Sequence, residues 1–210
     1  SSLSVPYALG GTLTEQQRLI TQAHSLESRA RSMLERITIK SGSRAVDMGC
    51  GPIAIMIFFV SVGSEEALLA EMLSLLKPGG TIALQEFDSA SYVCYPTHPS
   101  WNTLLNVWND SFHATGGNEF VGRALGHLLR KAGAENVQMK VHVEVAQIGE
   151  YRRTHLLSLL ESMQDLVVAS GRITKTELKE HMAALSEHLA DPGTTLVDKL
   201  TVQVWGQKPN

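Results

Sequence analysis

The stretch Val46-Asp47-Met48-Gly49-Cys50-Gly51-Pro52 constrains the fold of this chain more than any other. Arg44 to Met48 is short, bounded by turn residues, and runs straight into two glycines one residue apart, so a strand enters a tight loop. Glycine has no Cβ, so the backbone can turn sharply there and come close to a ligand. Free N–H groups at the loop and at the start of a following helix can then receive a carboxylate. Alone the loop is ambiguous, because nucleotide-binding folds use it widely and many such loops are plain turns.

The rest of the chain alternates helix and strand signals. Leu19, Ile20, Ala23, Leu26, Ala30, Met33, Leu34 and Ile37 recur at three- and four-residue steps and predict a helix over 14–37. It follows an extended lead over 1–12 and is broken by Ser41-Gly42-Ser43. Ser64 has N-cap chemistry ahead of Glu65 and Glu66, and Lys77-Pro78-Gly79-Gly80 stops that helix before a strand over 81–87. Pro99 opens a helix with the stripe Trp101, Leu104, Leu105, Trp108 and Phe112, which reads as core. A helix over 121–132 closes at Gly133. Val137, Met139, Val141, Val143 and Val145 alternate with polar residues as a strand. A helix over 150–170 follows, then a second opened by the capping box Thr174/Glu177 and ended by Asp191-Pro192-Gly193. The last strand covers 200–205. Such alternation predicts an α/β, Rossmann-like fold with a mostly parallel sheet. One domain over 1–210 is expected: an N-terminal helical cover (1–40), a sheet core (41–149 and 194–210) and a C-terminal helical lid (150–193).

Composition excludes several classes. Hydrophobic residues at 43% and charged residues at 19% describe a globular chain rather than a disordered one. A net charge of -3 gives no electrostatic footprint for nucleic acid, and no basic run suggests a membrane surface. Two cysteines, Cys50 and Cys94, make no disulfide framework, so a reducing cytoplasm is the expectation. The longest apolar run, Ile53 to Val60, is too short to span a bilayer, and no signal segment opens the chain. The histidines and cysteines show no metal-ligand spacing, and Gly-x-Ser-x-Gly is absent.

Val46-Asp47-Met48-Gly49-Cys50-Gly51-Pro52 resembles the first cofactor-binding motif of class I S-adenosylmethionine (SAM)-dependent methyltransferases. Leu75-Leu76-Lys77-Pro78-Gly79-Gly80-Thr81-Ile82-Ala83-Leu84 resembles that family's helix, sharp turn and fifth strand, in the right order. Tyr7-Ala8-Leu9-Gly10 with Glu15, Arg18-Leu19 and Gln22 is similar to the lead of its small-molecule group, as found in quinone and natural-product biosynthesis, and Val204 to Pro209 is similar to its last strand. The resemblance implies SAM as cofactor, held by Tyr7, Gln22, Asp47, Gly49, Cys50, Gly51 and Pro52. It also implies methyl transfer to a small metabolite. Leu156, Leu157, Leu160 and Met163 in the lid suggest a hydrophobic or aromatic acceptor, though they also suit a core or the interface of a homo-oligomer.

The chain also departs from the family. Only the 25 residues Pro52 to Leu76 separate the glycine loop from Lys77, where the family places three further strands with their helices. One strand–helix–strand unit takes about 30 residues, so the central strands are expected to be missing. Ile53 to Val60 has no polar face, reads as pieces of buried strand, and brings no acidic residue for the ribose. Either ordered segments of a longer chain are joined within 52–60 or the protein is shortened. The first is favoured, because a lost half-sheet would expose strand edges.

After the fifth strand the family lines its acceptor pocket. This places Glu86, Asp88, Tyr92 and Trp101 as candidate substrate contacts, with Tyr95 and His98 beside them. His98 and His113 are candidate bases, against the plainer reading of each as a capping or solvent-facing histidine. His24, Arg29, Arg31 and His142 read as surface residues. Two rivals stand beside methyl transfer. One is an NAD(P)-dependent oxidoreductase, although the third glycine of the dinucleotide fingerprint is absent. The other is a methyltransferase-like scaffold or cyclase.

Overall fold

The computed structural model describes residues 13–37, 43–45 and 65–210. The lead with Tyr7, the loop residues Asp47, Gly49, Cys50, Gly51 and Pro52, the run Ile53 to Val60 and the Ser64 cap lie outside the described residues, as does the continuity of 52–60.

Helix α1 (Leu13–Arg36) forms where the 3.6-residue period predicts it, and Ala23, Leu26, Ala30 and Met33 are its buried stripe. Leu34, expected on that stripe, is 47% exposed. Helix α2 (Glu65–Leu75) leads through Lys77-Pro78-Gly79-Gly80 into strand β1 (Thr81–Asp88). Gly79 has φ +71° and the Gly80 N–H donates to the Lys77 carbonyl at 2.8 Å, a type II turn with proline and glycine at its two central positions.

A short 3-10 turn (Ser89–Ser91), strand β2 (Val93–Tyr95) and helices α3 (Pro99–Ala114) and α4 (Val121–Lys131) follow. At Gly133 the Ala134 N–H reaches the Leu129 carbonyl and the Gly133 N–H reaches that of Arg130, the Schellman pattern. Then come strand β3 (Glu135–His142) and helices α5 (Tyr151–Ser162), α6 (Gln164–Ala169) and α7 (Lys175–Ala190). Strands β4 (Thr195–Val197) and β5 (Leu200–Gln207) end the chain. The helix expected over 150–170 is two helices that meet at Met163, and the capping box Thr174/Glu177 opens α7 as its sequence predicts.

The main sheet has the order β1-β5-β3, and β2 pairs with β4 in a second ladder. Every pairing between these strands is antiparallel, so the described residues form a mixed α/β fold with a small antiparallel sheet and do not include the expected parallel part of the sheet. The antiparallel pairing of β3 and β5 follows from the path of the lid. After β3 the chain makes a helical excursion and returns to the end it left, where His142 pairs with Thr201, so β5 runs back along β3. Beyond it, Val145 bridges to Val197 at the same end.

Paired residues of antiparallel strands share a face. Ile82, Leu84, Val202 and Val204 form the apolar face and pack on Leu69 and Leu73 of α2 and Val121, Leu125 and Leu129 of α4. Each such side chain contributes about 1.5–3 kcal/mol through burial. Gly122 lets α4 start against the sheet, because a Cβ there would sit 2.7 Å from the Phe87 carbonyl oxygen.

The opposite face is polar and lies under α1. The Gln203 side-chain amide donates to the Arg29 carbonyl (2.8 Å) and to Gln85 Oε1 (2.6 Å). Arg29 donates to Thr201 Oγ1 at 2.5 Å and pairs with Glu144 at 2.9 Å. Arg29, expected on the surface, is therefore buried, because this sheet face carries amides and hydroxyls that need partners. His142 is likewise half-buried, 3.2 Å from Gln203 Oε1. Met139, Val141 and Val143 on the other side of β3 are exposed instead, since β3 is the edge strand.

A second core joins α3, α5, α6 and α7 around Trp101, Leu104, Phe112, Leu156, Leu160 and Leu185. Arg153 fastens it to the loops, donating to the carbonyls of Ala146, Leu189, Asp191 and Thr194 at 2.7–3.1 Å.

Candidate functional site

The two cores meet at the C-terminal end of β1. Asp88, fully buried, receives the N–H groups of Ala90 (3.0 Å) and Arg123 (3.1 Å) and two bonds from the Arg123 guanidinium (2.6 and 2.7 Å). Burial opposes its charge, but Arg123 and these N–H groups outweigh it and hold the carboxyl below its usual value. Asp88 thus fixes the 3-10 turn and the start of α4, which leaves Phe87 facing α1 and α5.

Beside it, Asp88 pairs with Leu200, and the residue before Leu200 is Lys199. Lys199 is buried, 7% exposed. Its Nζ lies 3.4 Å from His155 Nδ1, 5.0 Å from the centre of the Tyr92 ring and 5.6 Å from that of Phe87. Among the described residues no carboxylate lies within ion-pairing distance of it. Burial pushes this amine down to about 8; Asp198 pulls it up, and Arg18 pushes it further down. His155 is also buried, and burial above all, then Lys199 and Arg18, holds its pKa well below the usual histidine value. Its Nε2 has no hydrogen-bond partner among the described residues.

Helix α1 closes the cluster from above. Arg18 is held by both oxygens of Glu15 (2.7 and 2.6 Å), by Gln22 Oε1 (2.7 Å) and by the Tyr151 hydroxyl on α5 (3.3 Å). Burial opposes the Arg18 charge, yet Glu15 and Tyr151 more than compensate and raise its pKa. Burial raises the Tyr151 hydroxyl and the Asp198 carboxyl. The result is a buried cluster of mixed charge with aromatic neighbours, whose chemistry suits orienting a flat molecule and stabilising an anionic oxygen.

The expected site residues are scattered around this cluster. Glu86 is buried on β1, on the face turned toward α4. Tyr92 and Trp101 are buried and meet edge-to-face at 4.9 Å, so Tyr92 alone of the pair borders Lys199. Gln22 joins the cluster through Arg18. His98 caps α3, its Nδ1 accepting from the Ser100 N–H at 3.2 Å, and His113 pairs with Glu119. Among the described residues no group of three His, Cys, Asp or Glu side chains is placed to hold a metal ion. No described helix is long and apolar enough to cross a membrane.

Sequence reasoning missed Lys199, His155, Tyr151 and Asp198. One signal was present: Tyr151, His155 and Leu159 recur every four residues and set a histidine into the inward stripe of α5.

No curated protein matches the chain. Residues 53–139, from just beyond the glycine loop through α4 into β3, match the family model described as a methyltransferase domain. The matched segment, which carries the Lys77-Pro78-Gly79-Gly80 turn and the strand after it, is thus similar to a methyltransferase domain.

Proposed function

We propose that the chain transfers a methyl group from SAM to a small, hydrophobic or aromatic acceptor seated at the end of β1. The observation that carries this reading is the buried cluster of Lys199, His155, Tyr92 and Phe87 where α1 closes over the sheet edge. Ligands of open α/β sheets bind at such an edge. The methyltransferase match favours this reading over a nicotinamide-dependent one.

The chemistry of the donor set fits the cofactor. Glu86 places a buried carboxylate near the end of β1 on its α4 side, which suits a positively charged sulfur, and Gln22 brings an amide to the other side of the sheet from α1. Asp47, Gly49, Cys50, Gly51 and Pro52 are the residues the motif assigns to its methionine end, with Tyr7 from the lead. When bound, SAM supplies an electrophilic methyl carbon for in-line displacement. The protein's part is positioning, which in general contributes more to such a reaction than any single side chain. Phe87 and Tyr92 supply flat walls, the Arg18–Tyr151 contact closes the cover, and burial keeps water out.

The test is incubation of the purified chain with SAM and pooled small phenols, enols and aromatic acids, followed by mass spectrometry. Gain of one methylene unit on an acceptor, with matching release of S-adenosylhomocysteine, is expected. SAM left intact with every pool contradicts the proposal.

A further inference from the structure

We infer that Lys199 is the seat of a negatively charged oxygen on the acceptor, so that the substrate class is small unsaturated molecules bearing an acidic oxygen: phenols, enols or aromatic carboxylates. The inference rests on the acceptor reading above and deepens it.

A buried ammonium is costly unless it is paired. Asp88, at the end of β1, has four hydrogen bonds from its neighbours. Lys199 has one ring nitrogen at 3.4 Å and two aromatic faces, and the described residues bring it no ion-pair partner. Lysine has three donor hydrogens, and the His155 contact uses one. With Nδ1 accepting from Lys199, neutral His155 carries its proton on Nε2, which leaves a second buried donor unused. Two donors short of acceptors, walled by Phe87 and Tyr92, describe a place for an anionic oxygen on a flat ring. Such an anion is a better nucleophile toward a methyl cation donor than its neutral form. No proton transfer inside the site is needed, because the acceptor enters ionised.

The charged groups around Lys199 come from every packed element. They are Arg18 and Glu15 on α1, Tyr151 and His155 on α5, Glu119 ahead of α4, Asp198 in the β4–β5 link, and Tyr92 after β1. Of these, Asp198 competes for the ammonium and Arg18 reinforces its attraction for an anion.

The probe is 4-nitrophenol, whose phenolate absorbs visible light and so reports its own ionisation when bound to the full chain. Saturable binding with the bound phenol ionising about one pH unit or more below free phenol, a tenfold preference for the phenolate, is expected. Lys199→Met abolishes that shift and Lys199→Arg restores most of it. Competition by 4-nitrobenzoate extends the seat to carboxylates, and failure to compete restricts it to phenolates and enolates. Absence of saturable binding, an unshifted phenol, or a shift that survives Lys199→Met overturns the inference. Thermal protection by S-adenosylhomocysteine, measured in parallel, reports on the cofactor reading alone. A protein protected by that nucleoside but blind to the phenol loses only the acidic seat. One that binds the phenol without such protection loses the cofactor reading.

Discussion

Asp88 and Lys199 are buried charges at the same end of the sheet, one closing β1 and the other just ahead of β5, and the fold treats them in opposite ways. The Asp88 carboxylate is surrounded by donors from the turn after β1 and from α4, so its charge holds two elements in place. Lys199 faces aromatic rings and a neutral imidazole, so its charge holds nothing together at comparable strength. A satisfied buried charge belongs to the architecture. A buried charge short of partners costs stability and is retained where a ligand completes it.

Substitution at Lys199 should separate the two most widely. Lys199→Met is expected to lower turnover of an acidic acceptor about a hundredfold or more while raising thermal stability, by about 1–3 kcal/mol, since a well-packed apolar residue outlasts an unpaired ion. A melting temperature that falls with activity would put Lys199 alongside Asp88 as an architectural charge. The pH dependence of stability sharpens the contrast. The folded amine titrates at about 8 against an ordinary 10.5, so between these values the unfolded chain holds a proton that the folded chain has released. Stability contributed by this group therefore rises with pH across that window, by about 3 kcal/mol. Urea titrations from pH 7.5 to 10.5 should show the rise in the wild type and not in Lys199→Met.

Smaller effects belong to the other charge. Asp88→Ala is expected to cost about 1–2 kcal/mol, read by urea unfolding, because the Ala90 and Arg123 N–H groups lose their cap. Since the Asp88 carboxyl titrates below its ordinary 3.8, its contribution is present above that pH and fades as pH falls through the folded value. Arg123→Ala should change stability least, because the Arg123 side chain is 57% exposed and both N–H bonds to Asp88 survive. A loss equal to that of Asp88→Ala would instead locate the strength of the site in the ion pair.

What can be read in the sequence divides along similar lines. Periodicity gives α1 and α3, and short-range chemistry gives the Pro-Gly-Gly turn, the Gly133 stop of α4 and the Thr174 capping box of α7, because each depends on residues a few positions apart. The sheet order is not local. The strand that inserts between β1 and β3 returns from a helical excursion, and no window of residues records which end it returns to. Strands β2 and β4, three residues each, carry too little pattern to register. At the site, Tyr92 and Gln22 were reachable through the resemblance. Lys199 reads as an ordinary loop cation, since its burial comes from α1, α5 and β1 converging from distant parts of the chain. Arg29 and His142 look like surface residues for the same reason: the polar sheet face that draws them inward exists only after folding.

The central claim, that this domain takes a sulfonium nucleoside, is tested most directly by calorimetric titration of S-adenosylhomocysteine into the full chain, with NAD as the control. Saturable one-to-one binding with a dissociation constant of about 1–100 µM, and no heat from NAD, is the predicted result. Absence of binding at about 1 mM nucleoside, or equal binding of NAD, would contradict it.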